Sequence, residues 1–128
     1  MRILLDTCTF LWIITDSTRL SRRARTLYME KSNEVYLSAV STWEITLKFG
    51  LGKLNLPVEP TKYIPMQRKQ HHISSYGISE EATLYISKLP DIHKDPFDRM
   101  LICQAITSDM VLLTPDEFVT KYPVRCDW

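Results

Sequence analysis

The sequence has little glycine and cysteine, and it carries almost no net charge. Its three glycines, Gly50, Gly52 and Gly77, cannot form the G-x-G-x-x-G or G-x-x-x-x-G-K loops that hold nucleotide phosphates. The three cysteines have no C-x-x-C spacing, which argues against a disulfide framework and against a zinc site. A formal net charge of +1 gives no global attraction to nucleic acid or to acidic membranes.

A long hydrophobic segment is also missing. The amino-terminal stretch ILLDTCTFLWII is interrupted by Asp6 and is followed by no small-residue cleavage site, so we expect neither a signal peptide nor a membrane-spanning helix. What remains is a chain of 128 residues, 45% hydrophobic and 24% charged, which is typical of an ordinary globular domain. We therefore expect one cytoplasmic domain over residues 1–128 that does not contact a membrane.

Apolar runs of strand length alternate with segments of helical spacing. The runs are RILLD (2–6), EVYLS (34–38), the weaker HISSY (72–76) and MVLLT (110–114). The helical segments are 8–14, 21–31, 39–49, 60–70, 79–88 and 96–108. This alternation predicts βαβ units, and therefore an α/β fold whose mostly parallel sheet is covered by helices on both faces. The final PVRCDW could add a short edge strand.

Four acidic residues lie near the ends of predicted strands or helices: Asp6, Glu44, Asp98 and Asp116. The ligand site of an open parallel sheet forms beyond the carboxyl ends of its strands, so these side chains could meet there. Carboxylates within ~5 Å of one another would repel by roughly 3 kcal/mol per pair at an effective dielectric constant near 20. Such a cluster needs protonation or a bound cation, and oxygen ligands alone favour Mg²⁺ or Mn²⁺.

Helix capping offers a second explanation for the same acids. Glu44 fits position N3 of a capping box in STWE, and DPFD places Asp95 at the N-cap with Asp98 at N3. TPDE likewise places Thr114 at an N-cap, with Pro115 at N1. Against this, Ser38 directly follows EVYL and is the better N-cap of the third helix, which leaves Glu44 beyond the reach of a cap.

The other two acids are not needed as caps. Thr7 could start the first helix in place of Asp6, and Thr114 with Glu117 could start the last helix in place of Asp116. Each acid taken alone is still explained more readily by structure than by chemistry. Only the four together favour a functional site.

Four motifs resemble the PIN domain family, in particular the VapC-type toxins of bacterial toxin–antitoxin pairs. They are LLDTCTFLW, LSAVSTWEITLKFGLGKLNLP, HKDPFDRMLICQAI and LLTPDEFVTKYPV, and they follow one another across nearly the whole chain. The resemblance implies a three-layer α/β/α sandwich and a Mg²⁺- or Mn²⁺-dependent endoribonuclease. It also implies a homodimer that a small antitoxin holds inactive.

The resemblance also implies roles for individual residues. Its metal-binding and catalytic site falls on Asp6, Glu44, Asp98 and Asp116, and Thr114 would orient the last of these. Our hypothesis is that the first three hold one divalent ion, while Asp116 shares that ion or holds a second. The ion would activate a water for in-line attack on an RNA phosphate.

The sequence departs from the family pattern at two positions. Cys8 stands where relatives often have histidine, and Pro115 stands where they have a small residue. Three basic residues lie near the acids in sequence: Lys48, Lys53 and Arg99. They could contact RNA phosphates, or they could be ordinary surface cations. Asp95 could in addition support Arg99 through a salt bridge.

Two other functions remain open from the residues. A non-catalytic domain could dock a protein partner through its aromatic side chains, although aromatics at helical spacing more often pack in a core. The aromatics in question are Trp12, Trp43, Phe49 and Tyr63. An aspartyl-phosphate phosphatase could start at LLDT, but its chemistry usually needs a second aspartate where this chain has Cys8. The sequence does not indicate which RNA would be cleaved.

Overall fold

A five-stranded sheet forms the centre of the computed structural model, which describes residues 1–128. The strands are β1 (Arg2–Leu5), β2 (Glu34–Ser38), β3 (Ser74–Tyr76), β4 (Val111–Leu113) and β5 (Cys126–Asp127). All neighbouring strands are parallel, in the order β3-β2-β1-β4-β5. The predicted α/β class is confirmed, and PVRCDW contributes the edge strand β5.

Six α-helices connect and cover these strands. They are α1 (Thr7–Ile14), α2 (Arg22–Met29), α3 (Ala39–Gly50), α4 (Pro60–Gln70), α5 (Glu80–Tyr85) and α6 (Pro96–Thr107), with 3₁₀ turns at Ile86–Lys88 and Val119–Lys121. Ser38 and Asp95 are the N-caps of α3 and α6, as predicted. None of the helices combines the length and the hydrophobicity needed to cross a lipid bilayer.

Alternate strand residues build one core on each face of the sheet, because successive side chains of a strand point to opposite sides. On one face, Ile3 and Leu5 pack in a cluster with residues of α1 and α2, such as Phe10. On the other face, Leu4 packs with residues of α6, such as Leu101. These five side chains are fully buried, and burial of each contributes roughly 1.5–3 kcal/mol. The two cores give the three-layer arrangement.

The order of the strands reverses beside β1. From β1 the chain continues to β2 and β3 on one side, and it then returns to place β4 and β5 on the other side. In open parallel sheets a ligand crevice forms at such a reversal, beyond the carboxyl ends of the two central strands. The segments that leave β1 at Asp6 and β4 at Thr114 therefore line this crevice.

A buried polar link holds α3 and α6 together below the crevice. The Ser38 hydroxyl donates to Oε1 of Gln104 at 2.6 Å, and Nε2 of Gln104 donates to the carbonyl oxygen of Gly77 at 3.1 Å. Both Ser38 and Gln104 are buried, and a buried polar group is stable only when it is hydrogen-bonded. The link fixes the two helices that carry Glu44 and Asp98.

Candidate metal centre

Asp6 lies between the end of β1 and the start of α1. Its Oδ1 accepts hydrogen bonds from the Thr9 N–H at 2.8 Å and from the Cys8 thiol at 3.3 Å. Its Oδ2 accepts from the Thr114 hydroxyl at 2.5 Å. Asp6 is thus the N-cap of α1, and the prediction that Thr7 could serve instead is wrong. Burial raises the pKa of Asp6 and outweighs the hydrogen bonds, which lower it.

Glu44 lies in the second turn of α3, away from the cap at Ser38. The side chain is buried, its Oε1 accepts from the Thr7 hydroxyl at 2.6 Å, and its Oε2 accepts from Nζ of Lys48 at 2.5 Å. The Thr7 oxygen also lies 3.0 Å from Oγ of Ser41. The hydrogen bond to Glu44 is the main cause of the raised pKa of Lys48. Glu44 has no capping contact, as predicted.

The start of α6 separates the roles of its two aspartates. Oδ1 of Asp95 accepts from the N–H groups of Phe97 at 2.8 Å and of Asp98 at 3.3 Å, which caps the helix. The Asp98 side chain makes no such cap and lies in the crevice. Burial, followed by the negative charge of Asp95, raises the pKa of Asp98 to about 6.

The pKa of Asp98 also depends on the charges of the other acids. The charges of Asp6 and Glu44 contribute to its raised pKa, whereas the charge of His93 opposes the rise. Since solvent and salt screen the repulsion between distant carboxylates, these effects indicate that Asp6 and Glu44 lie near Asp98. The three acids come from the segment after β1, from α3 and from α6, and their role as one site stays a prediction.

Asp116 joins the cluster through Thr114. Its N–H donates to Oγ1 of Thr114 at 3.1 Å, and its own Oδ1 accepts from the Phe118 N–H at 2.8 Å. The α-helix predicted from TPDE does not form. Only the 3₁₀ turn Val119–Lys121 lies between this segment and Pro123, and the chain then enters β5, which leaves too few residues for an α-helix. Thr114 consequently connects Asp116 with Asp6 instead of capping a helix.

His93 is a site residue that the sequence reasoning missed. Its Nε2 lies 3.0 Å from Oδ2 of Asp98 and 3.4 Å from Oδ2 of Asp116. The three residues offer ligand atoms that all lie within 4.8 Å of one another. The only sequence signal was the position of His93 at the start of HKDPFDRM, since a loop residue has no periodicity.

The three basic residues near the acids differ in their contacts. Lys48 is paired with Glu44, and Lys53 is exposed after the end of α3. Arg99 donates to the carbonyl oxygen of Pro90 at 2.9 Å and lies 3.2 Å from the Tyr122 hydroxyl. The predicted salt bridge between Asp95 and Arg99 does not form. Arg99 holds the loop before α6 in place.

The four aromatic residues considered for a docking surface are dispersed. Tyr63 is buried, and Trp12 packs against Trp128 at a centroid distance of 5.7 Å. Trp43 is 59% exposed and makes an edge contact with Phe97 at 4.9 Å. Phe49 is half-buried, and the aromatic contacts of Trp12 and Trp43 are with Trp128 and Phe97 rather than with one another, so the four residues form no common aromatic cluster.

The residues of the crevice fit a bound cation. Lys48 is the ion-pair partner of Glu44, and His93 is the basic side chain that pairs with Asp98 and Asp116. Asp6 is 7% exposed and accepts hydrogen bonds only from uncharged donors. A buried carboxylate without a cationic partner is costly, and its oxygens suit Mg²⁺ or Mn²⁺.

Together, the reversal in a parallel sheet and the acids collected there define an α/β/α protein with a candidate metal centre at its crevice. The sequence profile of the PIN domain matches residues 3–123. The chain therefore belongs to the PIN domain family. No curated protein matches it in sequence.

Solved structures with the same fold include three VapBC proteins. A chain of the Rickettsia felis VapBC2 structure, bound to a promoter DNA fragment, has a TM-score of 0.75 and 16% identity, over 99% of this chain and 98% of that one. DNA-bound VapBC from Salmonella typhimurium has a TM-score of 0.69 and 15% identity, over 99% and 97% of the two chains. VapBC-1 from nontypeable Haemophilus influenzae has a TM-score of 0.64 and 15% identity, again over 99% and 97%. At these identities the likeness shows a shared fold.

Proposed function

We propose that the protein is a divalent-metal-dependent endoribonuclease that acts as the toxin of a toxin–antitoxin pair. Two observations around the crevice between β1 and β4 support this proposal in a chain of the PIN domain family. Thr114 connects Asp6 with Asp116, and His93 lies beside both Asp98 and Asp116. The four acids of the proposed site are Asp6, Glu44, Asp98 and Asp116. Their mutual repulsion in a partly buried site supports a cation as the missing partner.

In this proposal Asp6, Glu44 and Asp98 hold one ion, and Asp116 shares that ion or holds a second. A Mg²⁺ or Mn²⁺ ion held by these residues would supply charge neutralisation and would activate a water for in-line attack on the RNA phosphate. The protein supplies fixed ligands. The Thr114 hydroxyl orients Asp6 through its 2.5 Å hydrogen bond and accepts from the Asp116 N–H.

Lys48 links the acidic site to the substrate. Its Nζ now neutralises Glu44, and its side chain is 46% exposed. If Glu44 held a metal ion, Lys48 would no longer be needed as its partner and could contact an RNA phosphate. Lys53, exposed after α3, extends the same basic surface. The guanidinium of Arg99 is engaged with the Pro90 loop, so we assign phosphate binding to the two lysines first.

We also propose a cognate antitoxin as a protein partner and a homodimer as the oligomeric state. An apolar stripe along α3 and its C-cap residue Leu51 supports a protein partner, since Trp43, Leu47 and Leu51 are 59%, 43% and 60% exposed. The stripe runs beside Glu44, so a bound partner would lie next to the acids. The solved relatives named above are VapBC structures, which is consistent with this pairing.

The test is cleavage of a single-stranded RNA by the purified protein with Mg²⁺ or Mn²⁺, with and without EDTA. We expect cleavage that EDTA abolishes and that Asp6→Asn and Asp98→Asn each reduce by at least ~10³-fold, because each removes a ligand charge. Asp91→Asn is the matched control, since Asp91 is exposed and forms no ion pair. Full cleavage by the purified Asp98→Asn protein would overturn the assignment.

The rival functions give different results in the same experiment. A phosphatase would hydrolyse a small phosphomonoester and leave RNA intact, and a binding domain would cleave neither substrate. Expression of the wild type and of Asp98→Asn in a bacterial host adds a test of the toxin role. Growth should stop only with the wild type, and co-expression of an antitoxin, if one is encoded next to the gene, should restore growth.

A further inference from the structure

We infer that His93 is itself a ligand of the metal ion, together with Asp98 and Asp116, and that its nitrogen makes the site select Mn²⁺ over Mg²⁺. This inference rests on the metal site of the proposed function, and it adds a residue and an ion preference that the four acids do not supply.

The geometry around His93 matches one coordination sphere. In an octahedral site with bonds of ~2.1 Å, neighbouring ligand atoms are about 3 Å apart. Nε2 of His93 lies 3.0 Å from Oδ2 of Asp98 and 3.4 Å from Oδ2 of Asp116. All three ligand atoms fall within 4.8 Å of one another. They could therefore bind the same ion with only small side-chain movements.

The loop that carries His93 is fixed before any ion binds. The N–H of His93 donates to the Tyr122 hydroxyl at 2.7 Å, and Nη1 of Arg99 lies 3.5 Å from the His93 carbonyl oxygen. The imidazole ring packs on Phe118 with 5.4 Å between the ring centroids. These contacts come from α6 and from the segment after β4, the same two segments that carry Asp98 and Asp116. A ligand held in this way loses little conformational entropy on binding.

The nitrogen sets the expected ion preference. Carboxylate oxygens suit both Mg²⁺ and Mn²⁺, whereas imidazole is a softer ligand that favours transition metals. Mg²⁺ is hard, and it prefers oxygen ligands and retained waters. The His93 nitrogen should therefore strengthen Mn²⁺ binding and leave Mg²⁺ binding almost unchanged.

A protonated imidazole that bridges the two aspartates would satisfy the same distances, so the test must detect the metal–nitrogen bond itself. Pulsed electron paramagnetic resonance of protein loaded with one equivalent of Mn²⁺ detects the magnetic coupling of a directly bound ¹⁴N. We expect this coupling in the wild type and its loss in His93→Gln. The double variant His71→Gln/His72→Gln is the control. These are the other two of the three histidines, and they line a surface groove with Asn33 and Val35, at the amino end of β2.

Wild-type protein labelled with ¹⁵N-histidine keeps the test independent of how any variant folds. The coupling should change from the ¹⁴N to the ¹⁵N pattern, and a Mn²⁺-loaded wild type without histidine coupling would overturn the inference. Calorimetric titration should give a Mn²⁺ affinity about 10–100-fold weaker in His93→Gln, with the Mg²⁺ affinity changed less than about threefold. Equal losses for both ions would refute the ion preference.

The same measurements separate this inference from the proposed function. If Asp98→Asn abolishes Mn²⁺ binding while His93→Gln binds and cleaves as the wild type does, the acidic site stands and His93 is not a ligand. If the wild type binds Mn²⁺ through a histidine nitrogen but cleaves no RNA, the inference stands and the proposed function fails.

Discussion

Asp98→Asn should stabilise the metal-free protein at neutral pH. In the folded chain, burial and the neighbouring charge of Asp95 raise the pKa of Asp98 from 3.8 to about 6. This difference in pKa corresponds to a free-energy cost of about 3 kcal/mol for the ionised carboxylate in the folded chain. Because the side chain is 24% exposed, solvent screening should reduce this to about 1–2 kcal/mol. An asparagine removes the charge and can keep a hydrogen bond to His93.

The sign of the effect depends on pH. Well below pH 3.8 the carboxyl group of Asp98 is protonated in both the folded and the unfolded chain, so its raised pKa costs the folded wild type no stability there. As the pH rises from about 4 to about 6, the unfolded chain ionises first and the wild type loses stability relative to the variant. The gain from Asp98→Asn should therefore be small at pH 4 and complete above pH 6.5.

Urea and thermal unfolding in EDTA, over pH 4 to 8, measure this gain. We expect the melting temperature of Asp98→Asn to exceed that of the wild type by roughly 4–8 °C at pH 7.5. Asp91→Asn removes an equal charge from an exposed position and should change stability by less than ~0.5 kcal/mol. A variant less stable than the wild type at pH 7.5, or a gain that does not vary with pH, would refute the reasoning.

Divalent ions should reverse the order of stability. An ion at 100 times its dissociation constant stabilises the folded wild type by about 2.7 kcal/mol. Asp98→Asn lacks one of the proposed ligands and should gain much less. The wild type should then melt at the higher temperature in excess Mn²⁺ and at the lower temperature in EDTA. No reversal in excess Mn²⁺ would mean that Asp98 does not bind the ion.

Two further substitutions test how the acids are held. Thr114→Val removes the hydroxyl that joins Asp6 to the Asp116 N–H, so urea unfolding should show a free energy of unfolding lower by about 1–3 kcal/mol. Thr114→Ser keeps the hydroxyl and should restore most of this stability. Equal stability of the two variants would contradict this. Lys48→Met leaves the buried Glu44 without its cation, so it should destabilise the protein in EDTA but much less with Mn²⁺, and raise the KM for RNA more than it lowers kcat. An unchanged KM would remove Lys48 from the RNA surface.

The parts of the site that could be predicted are those set by local contacts. Ser38 and Asp95 cap helices through N–H groups two or three residues away, so their roles follow from the sequence alone. The error at Asp6 is also local. β1 ends at Leu5 and α1 begins at Thr7, each one residue before the predicted boundary, which moves the cap from Thr7 to Asp6.

The parts that could not be predicted depend on distant segments. TPDE has the residues of a helix start, but the chain must return to the sheet at β5, so Thr114 bonds to Asp6 instead. His93 lies in a loop, and its position depends on the Tyr122 hydroxyl and on the Phe118 ring, both from beyond β4. No pattern near His93 carries this information. Asp6 and Asp116 could be placed at one edge of the sheet because they follow β1 and β4, whose ends periodicity locates, and the role of the acids stays a prediction.

Capping and the proposed metal binding are compatible at this site, because the helix starts help to maintain its negative charge. Asp6 is the N-cap of α1, and Asp98 lies in the first turn of α6. The N–H groups and the dipole of a helix start stabilise a nearby carboxylate without removing its charge. A lysine beside each aspartate would stabilise the fold further, but it would cancel the field that attracts a cation. The chain places a lysine only at Glu44, where the side chain of Lys48 can withdraw toward solvent.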